Sequence, residues 1–327
     1  MADVAREAGV SGQTVSRVLN GRANVDATTR QRVLEAMRLV GYRPNSAARA
    51  LRNGKFRSIG VIMSGLSTFG NSRTLDAVAS AAVARGYSIT LMHVGQPTQG
   101  EVAGAFSKLN EHAVDGVVVL IEQYELDQSE IELPSRLPVV VIDSNPRTDH
   151  TMVNIDQAQG AVLATSHLLE LGHETVWHIA GPAHSYAAER REQAWRATLR
   201  RHGRRIPPVV TGDWTAESGH AQGGALCRDP EVTAVFAAND QMALGLLRAL
   251  HEHGRAVPGE VSVVGYDDMA EAAHFWPPLT TVCQDFAAMG SRAVDTLVAE
   301  IGSGERTVTS IIVPTSLAVR ASTAPPP

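Results

Sequence analysis

From residue 58 onward the chain alternates short apolar runs with longer helical stretches, and this order leaves few folds open. Residues 58–63, 87–92, 116–121, 139–143, 176–180, 234–237 and 261–266 read as strands, most of them predominantly apolar. Between them, residues 75–85, 102–112, 158–171, 187–202, 217–226 and 242–253 carry helical spacing. Strands apolar on both faces and separated by helices pack as parallel sheets covered on each side. Residues 58–327 are too many for one comfortable doubly wound sheet, so two lobes are expected. Apolar residues make up 44% and charged residues 19% of the 327, which suits a globular chain. No apolar run reaches the length of a membrane span. Two cysteines, Cys227 and Cys283, cannot build a disulfide framework and fit a reducing compartment. The start, Met1-Ala2-Asp3 with Arg6 and Glu7 close behind, has no secretory apolar core, so a cytoplasmic location and no membrane contact are expected.

Ligands of such sheets lie beyond the carboxyl ends of the strands, and a cleft between two lobes sets those ends face to face. Asp143, Asn239, Asp240 and Asp267 fall at strand ends or helix starts. An Asp there can accept two vicinal hydroxyls, a nearby Arg191 can donate in a fork, and Asn239 can do both. Trp214 can stack on the apolar face of a pyranose. Each has a plainer alternative. Asp240 suits a helix cap, Asp143 a turn, Trp214 the core, and Arg191 a surface pair with Glu189 or Glu192. Of the adjacent Asp267 and Asp268, one is expected to cap or turn while the other reads ligand.

Charge is unevenly spread. Residues 1–58 hold eleven Lys/Arg against four Asp/Glu, a surplus of seven, whereas the whole chain carries −5. A basic head on an acidic body points to a polyanion as partner. Val4, Ala5 and Ala8 give a short helix ended by Gly9. Ser11 is a fit N-cap for a second helix with Val15, Val18 and Leu19 on one face. A third helix is expected over residues 28–40, stopped by Gly41. Two short helices packed on a third project the second as a ridge of major-groove width. Gln13 and Arg17, four apart, share its outer face, where Gln can pair with adenine and Arg with guanine. A phosphate contact is the open alternative for both.

Asp3-Val4-Ala5, Ala8-Gly9-Val10-Ser11, Thr14-Val15-Ser16-Arg17-Val18-Leu19-Asn20, Thr29-Arg30, Val33 and Gly41-Tyr42-Arg43-Pro44-Asn45 together resemble the head of the LacI/GalR family of bacterial repressors. The resemblance implies operator contacts from Ser11, Gln13, Thr14, Ser16, Arg17 and Asn20. Residues 45–52 resemble the family's hinge helix, too short to be stable alone in water. By that likeness it orders on DNA beside a second subunit's copy, with Asn45, Ala48 and Arg49 at the duplex and Leu51 as a minor-groove wedge. A packing contact against the head is the alternative for Leu51. Gly12 departs from the family by offering no side chain where a base is often read. Relatives also start a few residues earlier, with a Ser or Thr suited to capping, so a true start upstream of Met1 or a weaker head is expected.

The body is similar to the same family through Gly212-Asp213-Trp214, Ala238-Asn239-Asp240-Gln241-Met242-Ala243-Leu244-Gly245, Val261-Ser262-Val263-Val264-Gly265-Tyr266-Asp267-Asp268, Pro277-Pro278-Leu279-Thr280-Thr281 and Gln284-Asp285-Phe286. The implied fold is α/β: a helix-turn-helix three-helix head and a periplasmic-binding-protein-like, two-lobed core of doubly wound parallel sheets. The expected boundaries are 1–44 for the head and 45–57 for hinge and linker. The first lobe takes 58–155 and 286–313, the second 156–285 and 314–327, with crossovers near 154–156, 283–286 and Pro314. The resemblance places Asp143, Arg191, Trp214, Asn239, Asp267, Gln284 and Phe286 around an effector. Residues 64–74, which would border that cleft, depart from the galactoside-responsive pattern.

Enzyme motifs are missing from the sequence. There is no Gly-x-Ser-x-Gly and no His-Glu-x-x-His, and Gly54-Lys55-Phe56 lacks the rest of a phosphate loop. His251 and His253 would point roughly 200° apart on a helix. No catalytic residue, metal or cofactor is expected. No terminal Leu heptads are present, and residues 321–327 read as a polar tail, so a homodimer is expected. The expected partners are palindromic operator DNA and a small sugar effector, a galactoside or related glycoside. The expected function is repression of a carbohydrate operon, relieved by that sugar. Two alternatives stay open: a corepressor-dependent regulator, and a sugar-binding module without DNA function.

Overall fold

The computed structural model describes residues 1–19, 24–42, 55–95, 98–121, 137–142, 150–306 and 308–327. Asn20, Asn45, Ala48, Arg49, Leu51 and Asp143 lie outside them, as does the expected hinge segment. The chain forms two compact units, Met1–Phe56 and Arg57–Pro327.

The first unit contains α1 (Ala2–Glu7), α2 (Gly12–Leu19) and α3 (Ala27–Leu39). Val4, Ala8, Val15, Val18, Val33 and Ala36 meet in one small core. The helices are separated by the residues that punctuate them in sequence. Gly9 adopts φ 60°, which glycine tolerates without a Cβ penalty. Ser11 Oγ accepts from Thr14 N at 3.1 Å and caps α2. Asp26 Oδ1 accepts from Thr29 N at 2.8 Å and caps α3, a bond that holds its carboxyl below the usual range. The α1 cap position, Met1, makes no side-chain cap bond. Arg32 turns inward: its Nη2 donates to Ala8 O at 2.5 Å and closes the end of α1. One of the head's cations is therefore structural.

The second unit has two six-stranded sheets. The first lobe contains β1 (Ser58–Met63), α4 (Phe69–Ala84), β2 (Ser88–His93), α5 (Gln99–Glu111), β3 (Gly116–Leu120), β4 (Val139–Ile142) and β5 (Thr151–Ile155). The second contains α6 (Gln157–Glu170), β6 (Trp177–Ala180), α7 (Tyr186–Arg201), β7 (Val210–Thr211), α8 (Ala216–Leu226), β8 (Ala234–Ala237), α9 (Asp240–Glu252), β9 (Ser262–Asp267) and β10 (Thr280–Gln284). The chain then returns as α10 (Phe286–Ser303) and β11 (Ser310–Val313) and ends with β12 (Thr315–Ala318). The sheet orders are β11-β5-β4-β3-β1-β2 and β12-β10-β9-β8-β6-β7. Every pairing is parallel except β10 with β12. The central parallel strands are buried nearly throughout, as a sheet covered on both faces requires, while the edge strands β2, β7 and β11 are largely not.

A single residue separates the lobes at each crossing: Asp156 between β5 and α6, Asp285 between β10 and α10, and Pro314 between β11 and β12. α10 packs on the first lobe, burying Met289, Ala293, Val294 and Leu297 with Ile59, Val61 and Val118. Gly290 permits the approach, because a Cβ there would stand 2.6 Å from the Ala77 carbonyl carbon in α4.

Two expectations are corrected. α4 begins at Phe69 and not at 75, because Thr68 Oγ1 caps it from Asn71 N at 3.4 Å. Its first turn is polar and glycine-containing, so apolar periodicity does not show it. Residues 321–327 are not a loose polar tail. Ser322 is fully buried, pairs with Val263 through Val263 N to Ser322 O at 2.8 Å, and accepts from Thr280 N at 2.8 Å.

Candidate effector cleft and operator-reading face

Around α2 the two faces separate cleanly. Val15 and Val18 are buried, whereas Ser11, Gln13 and Arg17 are exposed and Thr14 and Ser16 half-buried. Ser11 and Thr14 hydroxyls lie 3.0 Å apart, so both hold the first turn as well as border the face. A side chain at Gly12 would meet nothing within 4 Å, so this helix presents bare backbone there. Gln13 and Arg17 form the exposed ridge.

In the core, the carboxyl ends of both sheets border one cleft with about 470 Å³ of unfilled space, open to solvent. Arg191, Trp214, Asn239, Asp267, Gln284 and Phe286 all line it, which brings together six of the seven residues expected there. They come from α7, the loop before α8, the start of α9, the ends of β9 and β10, and the first turn of α10.

Arg191 is buried and held by several partners. Its Nε donates to Gln157 Oε1 at 2.9 Å, its Nη1 donates to the Ala238 carbonyl, and Nη2 stands 3.8 Å from Asp267 Oδ1. The guanidinium lies 3.6 Å over the Tyr266 ring and 5.5 Å from that of Trp214. The surface pairing with Glu189 or Glu192 does not form: Glu189 bonds Gln193 and Glu192 bonds Arg196. Asp267 accepts from Gln284 Nε2 at 2.5 Å. Its φ of 115° is a strained value for a residue with a side chain, and Asp268 follows at 50°. The two acids divide as their adjacency suggests: Asp267 faces the cleft, and Asp268 pairs with Arg320 at 2.6 Å.

Trp214 also has positive φ, 74°. Its ring lies on Gly181, where a Cβ would stand 2.3 Å from Cη2. Asn239 Nδ2 donates to its carbonyl at 2.9 Å. The indole is thus a fixed wall of the cleft. Asn239 is occupied twice, since its Oδ1 also accepts from Met242 N at 2.8 Å and caps α9. Asn239 therefore holds the wall and the helix, and the cap reading of Asp240 is corrected. Asp240 is the first residue of α9 and is buried. It accepts from the Thr281 hydroxyl at 2.5 Å and Met269 N at 2.9 Å. Burial, then the nearby Asp267 carboxylate, push its carboxyl up to about 8. Gly265 leaves room for it, because a Cβ there would lie 2.2 Å from Asp240 Oδ1.

Sequence reasoning missed Gln157, whereas residues 64–74 were expected to border the cleft. Gln157 is buried at the head of α6 and touches both Arg191 and Gln284. Its signal was position: it directly follows the first crossover. Thr68, Phe69 and Asn71 line the cleft from the other lobe, with Phe69 edge-on to Phe286 at 6.1 Å and 78°. Cys283 is half-exposed, donates to Asp268 Oδ2 at 3.1 Å, and has its thiol pushed up to about 11 by burial. Among the described residues, no group of three His, Cys, Asp or Glu is placed to hold a metal, and no helix is long and apolar enough to cross a membrane.

Two family descriptions match the chain: bacterial regulatory proteins of the lacI family over residues 1–45, and a periplasmic binding protein-like domain over residues 165–323. The lactose operon repressor of Escherichia coli (strain K12) is 35% identical over 99% of this chain and 90% of its own length. The HTH-type transcriptional repressor PurR of Pasteurella multocida is 34% identical over 94% and 93%. Among solved structures, a lac repressor dimer bound to operator and the anti-inducer ONPF superposes with a TM-score of 0.86 at 34% identity, covering 98% of both chains. A complex of the transcriptional regulator CelR with cellobiose gives 0.71 at 33% identity, again over 98% of both. A helix-turn-helix head, a two-lobed core and full-length likeness to these regulators agree: the chain belongs to the lacI family of bacterial regulatory proteins.

Proposed function

We propose that this DNA-binding repressor of the lacI family controls a carbohydrate-utilisation operon and leaves its operator when a sugar enters the core cleft. The observation that carries the sugar reading is the convergence of Arg191, Asp267 and Gln284 beside the fixed indole of Trp214. A carboxylate, a guanidinium and an amide around an aromatic wall are the groups that read vicinal hydroxyls and the apolar face of a pyranose. A galactoside or related glycoside is the favoured class. The CelR structure holds cellobiose at 33% identity, and the lactose operon repressor is 35% identical.

On the DNA side, Gln13 and Arg17 read bases, Ser11, Thr14, Ser16 and Asn20 set the helix on the duplex, and residues 45–57 form the hinge with Asn45, Ala48, Arg49 and Leu51. Two copies of the chain occupy the halves of a palindromic operator. Asp143 completes the effector set. Sugar and operator favour different states, so each weakens the other by the same factor; a coupling of about 3 kcal/mol changes operator affinity roughly 150-fold. Operator affinity is measured by titration against a palindromic duplex, with and without a broad sugar panel. A sugar that lowers it supports the reading; equal affinities across the panel refute induction.

A further inference from the structure

We propose that Gln157, to which no ligand role was given by sequence, is the positioning residue that carries occupancy of the cleft to the crossovers between the lobes. The inference rests on the reading of that cleft as the effector site. The three crossovers are tied in pairs by visible bonds. The first and third are joined by Asp156 N to Val313 O at 2.8 Å and by Thr315 N to Gln159 Oε1 at 2.7 Å. The second and third are joined by the β10–β12 ladder, which pairs Gln284 with Thr315. The first and second are bridged by side chains inside the cleft, Gln157 Nε2 to Gln284 Oε1 at 3.3 Å.

That bridge belongs to a closed ring. Arg191 donates to Gln157, Gln157 to Gln284 and Gln284 to Asp267, and Asp267 faces Arg191 at 3.8 Å. All four residues line the cavity. A hydroxyl-rich molecule that takes Asp267 as its acceptor competes with Gln284, and a displaced Gln284 releases Gln157. The crossover bridge therefore opens in response to a contact made with the ligand. Gln157 stands one residue past Asp156 and Gln284 one before Asp285, so the released groups are the ends of two crossovers.

The test is hydrogen–deuterium exchange on the full chain, without ligand, for wild type, Gln157→Leu, Gln284→Leu and the double variant. One hydrogen bond of this kind corresponds to roughly a two- to tenfold rise in exchange. That rise is expected in the peptides holding the Asp156 and Thr315 amides, with the double variant no worse than the larger single. Gln157→Glu keeps an acceptor for Arg191 but has no N–H for Gln284, and should match Gln157→Leu at the crossovers; it also serves if the leucine variant does not fold. Unchanged exchange, effects that multiply in the double variant, a wild-type Gln157→Glu, or loosening spread evenly over β8 and α9 would each overturn the proposal. A parallel titration of wild type with lactose and with cellobiose is read by calorimetry. If a sugar binds, it should raise exchange at the same amides in wild type and not in Gln157→Leu; equal sugar effects in both would overturn the proposal. Failure of both sugars to bind counts against the sugar reading alone, and the ligand-free comparison still decides the bridge.

Discussion

Replacing Asp240 by Asn should flatten the pH dependence of core stability. Asp240 is 1% exposed, sits against Gly265 and cannot be hydrated without moving α9. Its carboxyl is raised by burial from 3.8 to about 8, so between those values the folded chain holds a proton that the unfolded chain releases. Stability from a raised carboxyl is present at low pH and is lost as pH climbs toward the folded value. The unfolding free energy then falls by up to about 1.4 kcal/mol per pH unit through that window. An asparagine has the shape of the protonated acid: its carbonyl can accept from Met269 N, and the Thr281 hydroxyl can turn to accept from its amide. It does not titrate. The stability of Asp240→Asn relative to wild type should therefore grow between pH 5 and 7, by about 2–3 kcal/mol at full slope. Urea unfolding of both proteins at several pH values, followed by tryptophan fluorescence of the core, measures the difference. Parallel stability curves across that range would refute a protonated Asp240.

Asp267→Ala should leave operator binding in place and weaken sugar binding roughly 10- to 150-fold, from a charged hydrogen bond of about 1.5–3 kcal/mol; a normal sugar response removes Asp267 from the site. Arg17→Ala should cost about 1–3 kcal/mol of operator affinity and relax specificity at one base pair, whereas equal loss on every sequence makes Arg17 a phosphate contact. Gly245→Ala should lower the melting temperature. Its Cβ would stand 1.9 Å from Ala216 O and 2.5 Å from His220 N, backbone atoms that yield only if α8 shifts, at about 1–3 kcal/mol or more. Gly181→Ala should displace the Trp214 ring, shift its fluorescence and weaken sugar binding while sparing operator binding; an unchanged sugar affinity denies the indole its role as wall.

What could be read from sequence divides along physical lines. Runs such as Gly116–Leu120 and Val139–Ile142 are buried on both faces, so their composition alone marks parallel strands. β11, by contrast, is short and largely unburied, with Ile312 exposed, and no strand is expected there from the sequence. Six cleft residues were legible because strand ends gather at one side of each sheet and because they resemble a known pattern. Gln157 was not, since a glutamine at a helix start reads as solvated unless its partners are known, and both partners, Arg191 and Gln284, are distant in sequence. Asn239, not Asp240, takes the cap for a similar reason. Either can cap a helix, and only the fold shows that Thr281 and Met269 wait for the acid, leaving the cap to the amide.

The committed state of the cleft also restricts what can enter it. Arg191 has its donors directed to Gln157, Ala238 and Asp267, so an anion that captured the guanidinium would have to displace a buried carboxylate and leave it facing the newcomer. An uncharged ligand avoids that conflict, because it adds no charge to a site whose described ionic partners already balance. It must nonetheless replace the bonds it breaks. Opening Gln284 from Asp267 removes a donor from the carboxylate and a partner from Gln157, so the entering molecule has to supply donors and acceptors close together. Adjacent hydroxyls do both, since each can donate to Asp267 while accepting from an amide N–H. The proposed preference for polyols rests on these bonds among Arg191, Gln157, Gln284 and Asp267.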